Sequence, residues 1–250
     1  MGKSSQKHEL MFAPEGLNRG PSDPCRMQAL NCRTDMTNTH ETPSLNLADA
    51  ALLSKAASGV MAMAHFAGSR HWVPATSGNF SVRMDGKLAA LTATGADKAR
   101  LTEDEVIAAE IVGAKHPRAS AEAPLHLARY AGDASIGAIA HIHSLPATLL
   151  SRRHEKAGFL RLQGWELLKA FSGITTHEIF VDVPIVPNDQ DTDRLAALVE
   201  ERLKAGSPAS GYLIAGHGLY VWGAGPRDAI RHMEAFDFLL TAQMHEEGTR

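Results

Sequence analysis

The chain's 250 residues, 44% hydrophobic and 21% charged, are enough for one sizeable core and too apolar for general disorder. A net charge of −3 without any cluster of Lys or Arg argues against a nucleic-acid partner. No apolar run approaches the roughly 20 residues that cross a bilayer, and the first residues lack the apolar centre of a secretory signal, so no membrane partner is expected.

Residues 1–42 carry Gly, Pro, Ser, Asn and Asp without periodicity and read as a poorly ordered tail, with Met36 a candidate alternative start. Both cysteines, Cys25 and Cys32, fall in it; with no others a disulfide framework is excluded, and a reducing cytoplasm is the simplest inference. Residues 43–250 read as a single domain.

A long helix is predicted from Leu45 to about Ser69, with Leu53, Ala57, Val60, Met61 and Ala64 at helical spacing. A hairpin follows, Phe80–Arg83 against Lys87–Thr92 across Asp85-Gly86. Thr102 and Glu105 form a capping box that should open a short helix, and Glu110–Val112 reads as a short strand. The segment 124–130 is helical. Gly137–Ile142 is a strand buried on both faces, rich in small and β-branched residues. Short helices are expected at 146–152 and 165–171, a strand at 177–185 and an amphipathic helix at 193–204. A second hairpin, 212–215 with 219–222, turns at Gly216-His217-Gly218, and Pro226 starts a last helix buried through Ile230, Met233, Phe236 and Leu240. Paired hairpins argue for a largely antiparallel sheet with helices on its faces, not a doubly wound parallel one.

Strand side chains alternate, so His141 and His143 point the same way and can chelate one metal ion. An isolated pair of this kind also arises from packing alone. His217, in a glycine turn, is the third candidate nitrogen; three imidazoles leave an open position, as in catalytic zinc, although iron, cobalt, nickel or manganese would accept the same donors. Gly216 and Gly218 would let the turn aim His217 inward. Ser77-Gly78-Asn79, Thr94-Gly95 and Ser120-Ala121 are small polar turns of the kind that can offer N–H groups to a phosphate, and each is also an ordinary turn. Among carboxylates, Glu166 lies in apolar surroundings that would raise its pKa toward that of a proton shuttle, or else is a solvated helix residue beside Lys169. Glu122 precedes a helix and suits its positive end. The other histidines, His126 among them, show no partner spacing.

In this order, Ser77-Gly78-Asn79, Thr94-Gly95, Ser120-Ala121-Glu122, His141-Ile142-His143 and Gly216-His217-Gly218 resemble the class II aldolase/adducin superfamily. Trp165–Ala170 and His217–Gly223 are most similar to its sugar-phosphate dehydratase branch. The resemblance covers about Leu45 to Met244. It implies an α/β fold, a three-layer α/β/α sandwich around a mixed, mainly antiparallel sheet, assembled as a homotetramer with sites near subunit boundaries. It implies one Zn²⁺ per subunit on His141, His143 and His217, with phosphate held at Ser77, Gly78, Asn79, Thr94, Gly95, Ser120 and Ala121. A glutamate at the Glu122 position moves protons in the aldolases, and one at the Glu166 position in the dehydratases; both are present here. The implied reaction is loss of water from 5-methylthioribulose 1-phosphate in methionine salvage, with Trp165 or Phe80 in an apolar recess for the thioether. The alternatives are another metal-dependent sugar-phosphate lyase, whether aldolase, decarboxylase or epimerase, and a non-catalytic module like the adducin head.

Overall fold

Asn46 sets the start of the first helix: its side chain accepts a hydrogen bond from the Asp49 N–H at 2.9 Å. From there the computed structural model describes residues 46–204 and 209–248. The tail, with Cys25, Cys32 and Met36, lies outside the described residues.

The first helix, α1, runs Leu47–Ser69. It is the one described helix long and apolar enough by composition to cross a membrane. In the fold, Ala57, Val60, Met63 and Ala64 are instead packed in the core.

The hairpin forms as expected, β1 (Asn79–Arg83) antiparallel to β2 (Leu88–Thr92), with Asp85 Oδ1 accepting from the Lys87 and Leu88 N–H groups to close the turn. The Thr102/Glu105 box opens only a single 3₁₀ turn, Glu103–Glu105, because the chain passes at once into β3 (Val106–Glu110). That strand replaces the one expected at 110–112; Val112, past its end, is 81% exposed.

Next come α2 (Ala123–Gly132), β4 (Ala138–Ile142) and α3 (Leu145–His154). A strand not anticipated from the sequence, β5 (Phe159–Gln163), pairs antiparallel with β6 (Phe180–Val186). Between them the helix expected at 165–171 is a 3₁₀ segment, Glu166–Ala170. The chain ends in α4 (Thr192–Leu203), β7 (Gly211–Ile214), β8 (Gly218–Gly223) and α5 (Pro226–Gly248).

The eight strands form one sheet in the order β3-β2-β1-β4-β8-β7-β6-β5. Among the pairings only β6 with β7 is parallel, so the sheet is mixed and mainly antiparallel. Alternation along the strands sorts the core into two layers. Phe80, Ala140, Leu219 and Val221 pack toward α1, α3 and α5, while Ile139, Tyr212 and Tyr220 pack toward α2 and α4. This is the expected α/β/α sandwich.

Candidate metal centre and anion cavity

β4 lies at the middle of the sheet, buried throughout, and its register places Asn79 of β1 opposite His141 on one side and Tyr220 of β8 on the other. The His141 ring is fully buried and stacks on Tyr220, centroids 4.0 Å apart at 14°. Its Nδ1–H donates to the Leu219 carbonyl at 3.1 Å, which leaves the Nε2 lone pair facing outward from the strand end. His143, two residues on, projects from the same face, and its own N–H donates to the Trp72 carbonyl at 2.8 Å.

His217 comes from the turn between β7 and β8. Gly216 sits there at φ +63°, a conformation that favours glycine. Gly218 matters for another reason: a Cβ on it would run into the Ile142 carbonyl and the His141 ring. Helix α3 fastens the turn, Thr148 Oγ1 donating to the His217 carbonyl at 3.0 Å and Ser151 Oγ accepting from the Gly216 N–H at 3.1 Å.

The three imidazoles meet tip to tip. His141 Nε2 lies 2.9 Å from His143 Nε2 and 3.3 Å from His217 Nε2. Burial keeps His141 well below its ordinary pKa, and burial with the neighbouring His217 pulls His143 down to about 4. With Nδ1 of His141 committed as a donor, its neutral ring presents a lone pair to two other nitrogens. A cation resolves that crowding, and three neutral nitrogens are the donor set of a catalytic zinc site. The residues present fit a divalent metal.

Glu122 stands at the head of α2 and faces this cluster, Oε1 3.1 Å from His217 Nε2 and Oε2 3.6 Å from His141 Nε2. Burial would raise its pKa, but its close neighbours His141, His217 and Asn79 outweigh it and hold the carboxyl well below the usual range.

Behind Glu122 runs a buried hydrogen-bonded chain. Asn79 Nδ2 donates to Glu122 Oε2 at 2.6 Å, and Asn79 Oδ1 accepts from His126 Nε2. His126 is 1% exposed, and burial brings its pKa to about 4, so its ring is neutral near pH 7. With the proton on Nε2, His126 Nδ1 must accept, and Ser81 Oγ donates to it at 2.7 Å. Ser81 in turn accepts from Tyr130 OH at 2.9 Å.

A cavity of about 200 Å³ opens beside the cluster. Ser77, Gly78, Asn79, Thr94, Gly95, Ser120, Glu122, His143 and His217 all line it, so three turns distant in sequence converge there. Gly78 is held there at φ +76°, where a Cβ would also press on the His141 carbonyl. Ala121 is exposed and does not line the cavity.

Of the two readings the sequence offered for Glu166, the structure takes the solvated residue beside Lys169. It is 68% exposed on the 3₁₀ segment after β5, and its carboxyl is held low by Lys169 and then His177, not raised by apolar surroundings. It lines a separate apolar groove of about 620 Å³ with Trp165, Leu167 and Phe238. Phe80 is fully buried toward α1, so it lines no recess.

Lys98 and His126 are among the residues of the site that escaped the sequence reading. Lys98 lines the cavity, and nothing in Asp97-Lys98-Ala99-Arg100 distinguishes it from an exposed turn. His126 had a usable signal: it lies four residues after Glu122, hence on the same helical face.

Comparison with known proteins agrees with this geometry. The Class II Aldolase and Adducin N-terminal domain family matches residues 58–244. A methylthioribulose-1-phosphate dehydratase of Parvibaculum lavamentivorans is 72% identical over 197 residues, which are 79% of this chain and 97% of that protein. One from Pseudomonas aeruginosa is 48% identical, covering 70% of this chain and 86% of that one. Among solved structures, the l-fuculose-1-phosphate aldolase of Thermus thermophilus superposes with a TM-score of 0.64 at 22% identity, covering 78% of this chain and 96% of that one.

Proposed function

The chain belongs to the class II aldolase and adducin family, and from that premise we propose that it removes water from 5-methylthioribulose 1-phosphate, giving a 2,3-diketo phosphate in methionine salvage. The observation that carries this reading is the 72% identity, spanning 97% of its length, to a protein named for that dehydration. The histidine cluster, the adjacent carboxylate and the polar cavity supply what the reaction needs. An aldolase cleaving a related sugar phosphate would use the same parts, and the likeness to the Thermus enzyme is one of fold.

His141, His143 and His217 would hold one divalent metal ion, zinc by donor type, and when bound it would supply Lewis acidity at the substrate's C2 carbonyl. Turns 77–79 and 94–95, with Ser120, hold the phosphate and fix the sugar chain against the cluster. Glu122 takes the proton from C3 and returns it to the C4 hydroxyl, which leaves as water; the resulting enol then gains a proton at C4 and loses its hydroxyl proton, giving the C3 ketone. Support for Glu122 in this role is its place beside two of the three imidazoles. Asn79 keeps that carboxylate turned to the cluster.

Glu166 enters this scheme only from a second copy, because in its own chain it lies outside the cavity and is paired with Lys169 and His177. A homotetramer with sites near subunit boundaries would bring it there, and Trp165, Leu167 and Phe238 give that edge an apolar surface. Residues 43–250 act as one catalytic domain, and a cytoplasmic setting suits a phosphorylated metabolite.

The test is mass spectrometry of products after incubating zinc-loaded protein with the sugar phosphate. A product lighter by one water with its carbon chain intact is expected. Shorter carbon fragments would make the protein an aldolase, and unchanged substrate would refute the choice of substrate.

A further inference from the structure

The three turns assigned to the phosphate are formally neutral, built from Ser, Gly, Asn, Thr and Ala. Their neighbour Glu122 is an anion. A phosphate monoester carries close to two negative charges near pH 7, so the cavity needs a cation at that end as well as N–H donors.

Lys98 is the one Lys or Arg among the described residues lining the cavity. Its burial is unusual, 4% exposed, for a side chain that is almost never fully buried without a partner. Among the described residues it forms no ion pair. Its Nζ donates to the Thr76 carbonyl at 2.9 Å, one hydrogen bond for a group with three N–H donors. Glu105, Asp97 and Glu122 are near enough to favour its charge, though not in contact, and the dominant effect of burial is to pull its pKa down. A buried ammonium in this condition costs free energy that an anion at the same spot would offset.

Two further features point to the same spot. The Ser77 hydroxyl, also on the lining, is buried with no hydrogen-bond partner among the described residues. The backbone there is strained: Ala75 and Thr76 lie at φ +52° and +62°, followed by Gly78 at +76°. Non-glycine residues in that region cost on the order of 1–3 kcal/mol each and gather at ligand-holding segments. Lys98 clamps this segment through the Thr76 carbonyl.

We propose that Lys98 is the charge partner of the substrate's phosphate, with Ser77 as the adjoining donor, and that this pair makes the site select phosphorylated over neutral substrates. The proposal rests on the reading of the cavity as a phosphate subsite, and it is tested without turnover. Zinc-loaded protein is titrated calorimetrically with glycerol 1-phosphate, a monoester lacking the reactive carbonyl, and with glycerol as the neutral control.

Lys98→Gln keeps a donor for the Thr76 carbonyl and removes the charge. It should weaken glycerol 1-phosphate binding by about tenfold or more while metal content stays the same, whereas Lys98→Arg should stay within about threefold of the parent. Equal affinity in Lys98→Gln, or no binding of the monoester by the unaltered protein, would overturn the assignment.

A second measurement holds even if Lys98→Gln fails to fold. The Lys98 side-chain resonance in isotope-labelled protein, identified by its loss in Lys98→Arg, should move on adding glycerol 1-phosphate and stay fixed with glycerol. A resonance that ignores the monoester would overturn it too. Failure to dehydrate the methylthio sugar phosphate would refute the proposed function and leave these results standing.

Discussion

Asn79 joins Glu122 to His126: its amide nitrogen donates to the Glu122 carboxylate at 2.6 Å while its amide oxygen accepts from the His126 ring. An amide alone could turn either end to a carboxylate, but only the N–H end attracts one. The His126 Nε2–H fixes the choice. His126 is thus a positioning residue, acting on the site through Asn79.

Removing that donor should slow turnover without emptying the metal site. His126→Leu is expected to lower kcat by about 10- to 100-fold, the usual cost of losing an outer hydrogen-bond partner, with KM little changed. His126→Gln, whose amide can donate from nearly the same place, should recover much of the loss. Equal activity in His126→Leu and the parent would show that Asn79 needs no such support.

Acid should destabilise the protein through the same residue. Burial lowers the His126 pKa from 6.5 to about 4 in the folded state. Between those values the unfolded chain binds the extra proton, so stability is intact above pH 6.5 and falls as pH drops toward 4. The loss reaches on the order of 3 kcal/mol at the acid end. Urea unfolding across this range should show a shallower pH dependence in His126→Gln than in the parent; identical slopes would contradict the assignment.

The two glutamates separate by experiment. Glu122→Gln should retain zinc and lose about 10²- to 10⁴-fold in kcat. If Glu166 serves a neighbouring subunit, Glu166→Gln should be comparably slow. Tetramers mixed from Glu122→Gln and Glu166→Gln chains should then regain activity in those sites that pair an intact Glu122 with an intact Glu166. Full activity of Glu166→Gln alone would remove it from the reaction.

Metal binding should couple to stability. EDTA treatment should lower the Tm, since a metal present at 100 times its Kd stabilises the folded state by about 2.7 kcal/mol. His143→Ala should hold much less zinc by elemental analysis. Gly218→Ala should do likewise, because its new methyl group would push on the Ile142 carbonyl and the His141 ring. Unchanged zinc content in either variant would count against the cluster.

Much of this fold could be read from the sequence because its central strands carry strong local signals. Ala138–Ile142 is apolar on both faces, as an interior strand must be, and the two histidines announce themselves by spacing. β5 escaped because an edge strand with one exposed face, Phe159, Arg161 and Gln163, buries only Leu160 and Leu162. Its stability comes from across the sheet, where Arg161 pairs with Asp182 at 2.7 Å and lies over the Phe180 ring. Lys98 was invisible because a lysine's burial is decided by the chain that folds over it. Glu166 had two readings in the sequence, and only its place in space decides between them: its apolar neighbours point elsewhere, and its contacts are Lys169 and His177.

The chain from Tyr130 through Ser81, His126 and Asn79 has every donor aimed toward Glu122. It is therefore a brace and not a wire: the Asn79 amide relays no proton, and reversing the direction would break all four hydrogen bonds together. A hydrogen picked up by Glu122 leaves on the cavity side, toward His217 and the substrate, and not back through this chain. In heavy water, the position reprotonated during each cycle would draw its isotope from the solvent, while the buried hydroxyls of Ser81 and Tyr130 kept light hydrogen on the slower clock of the folded core.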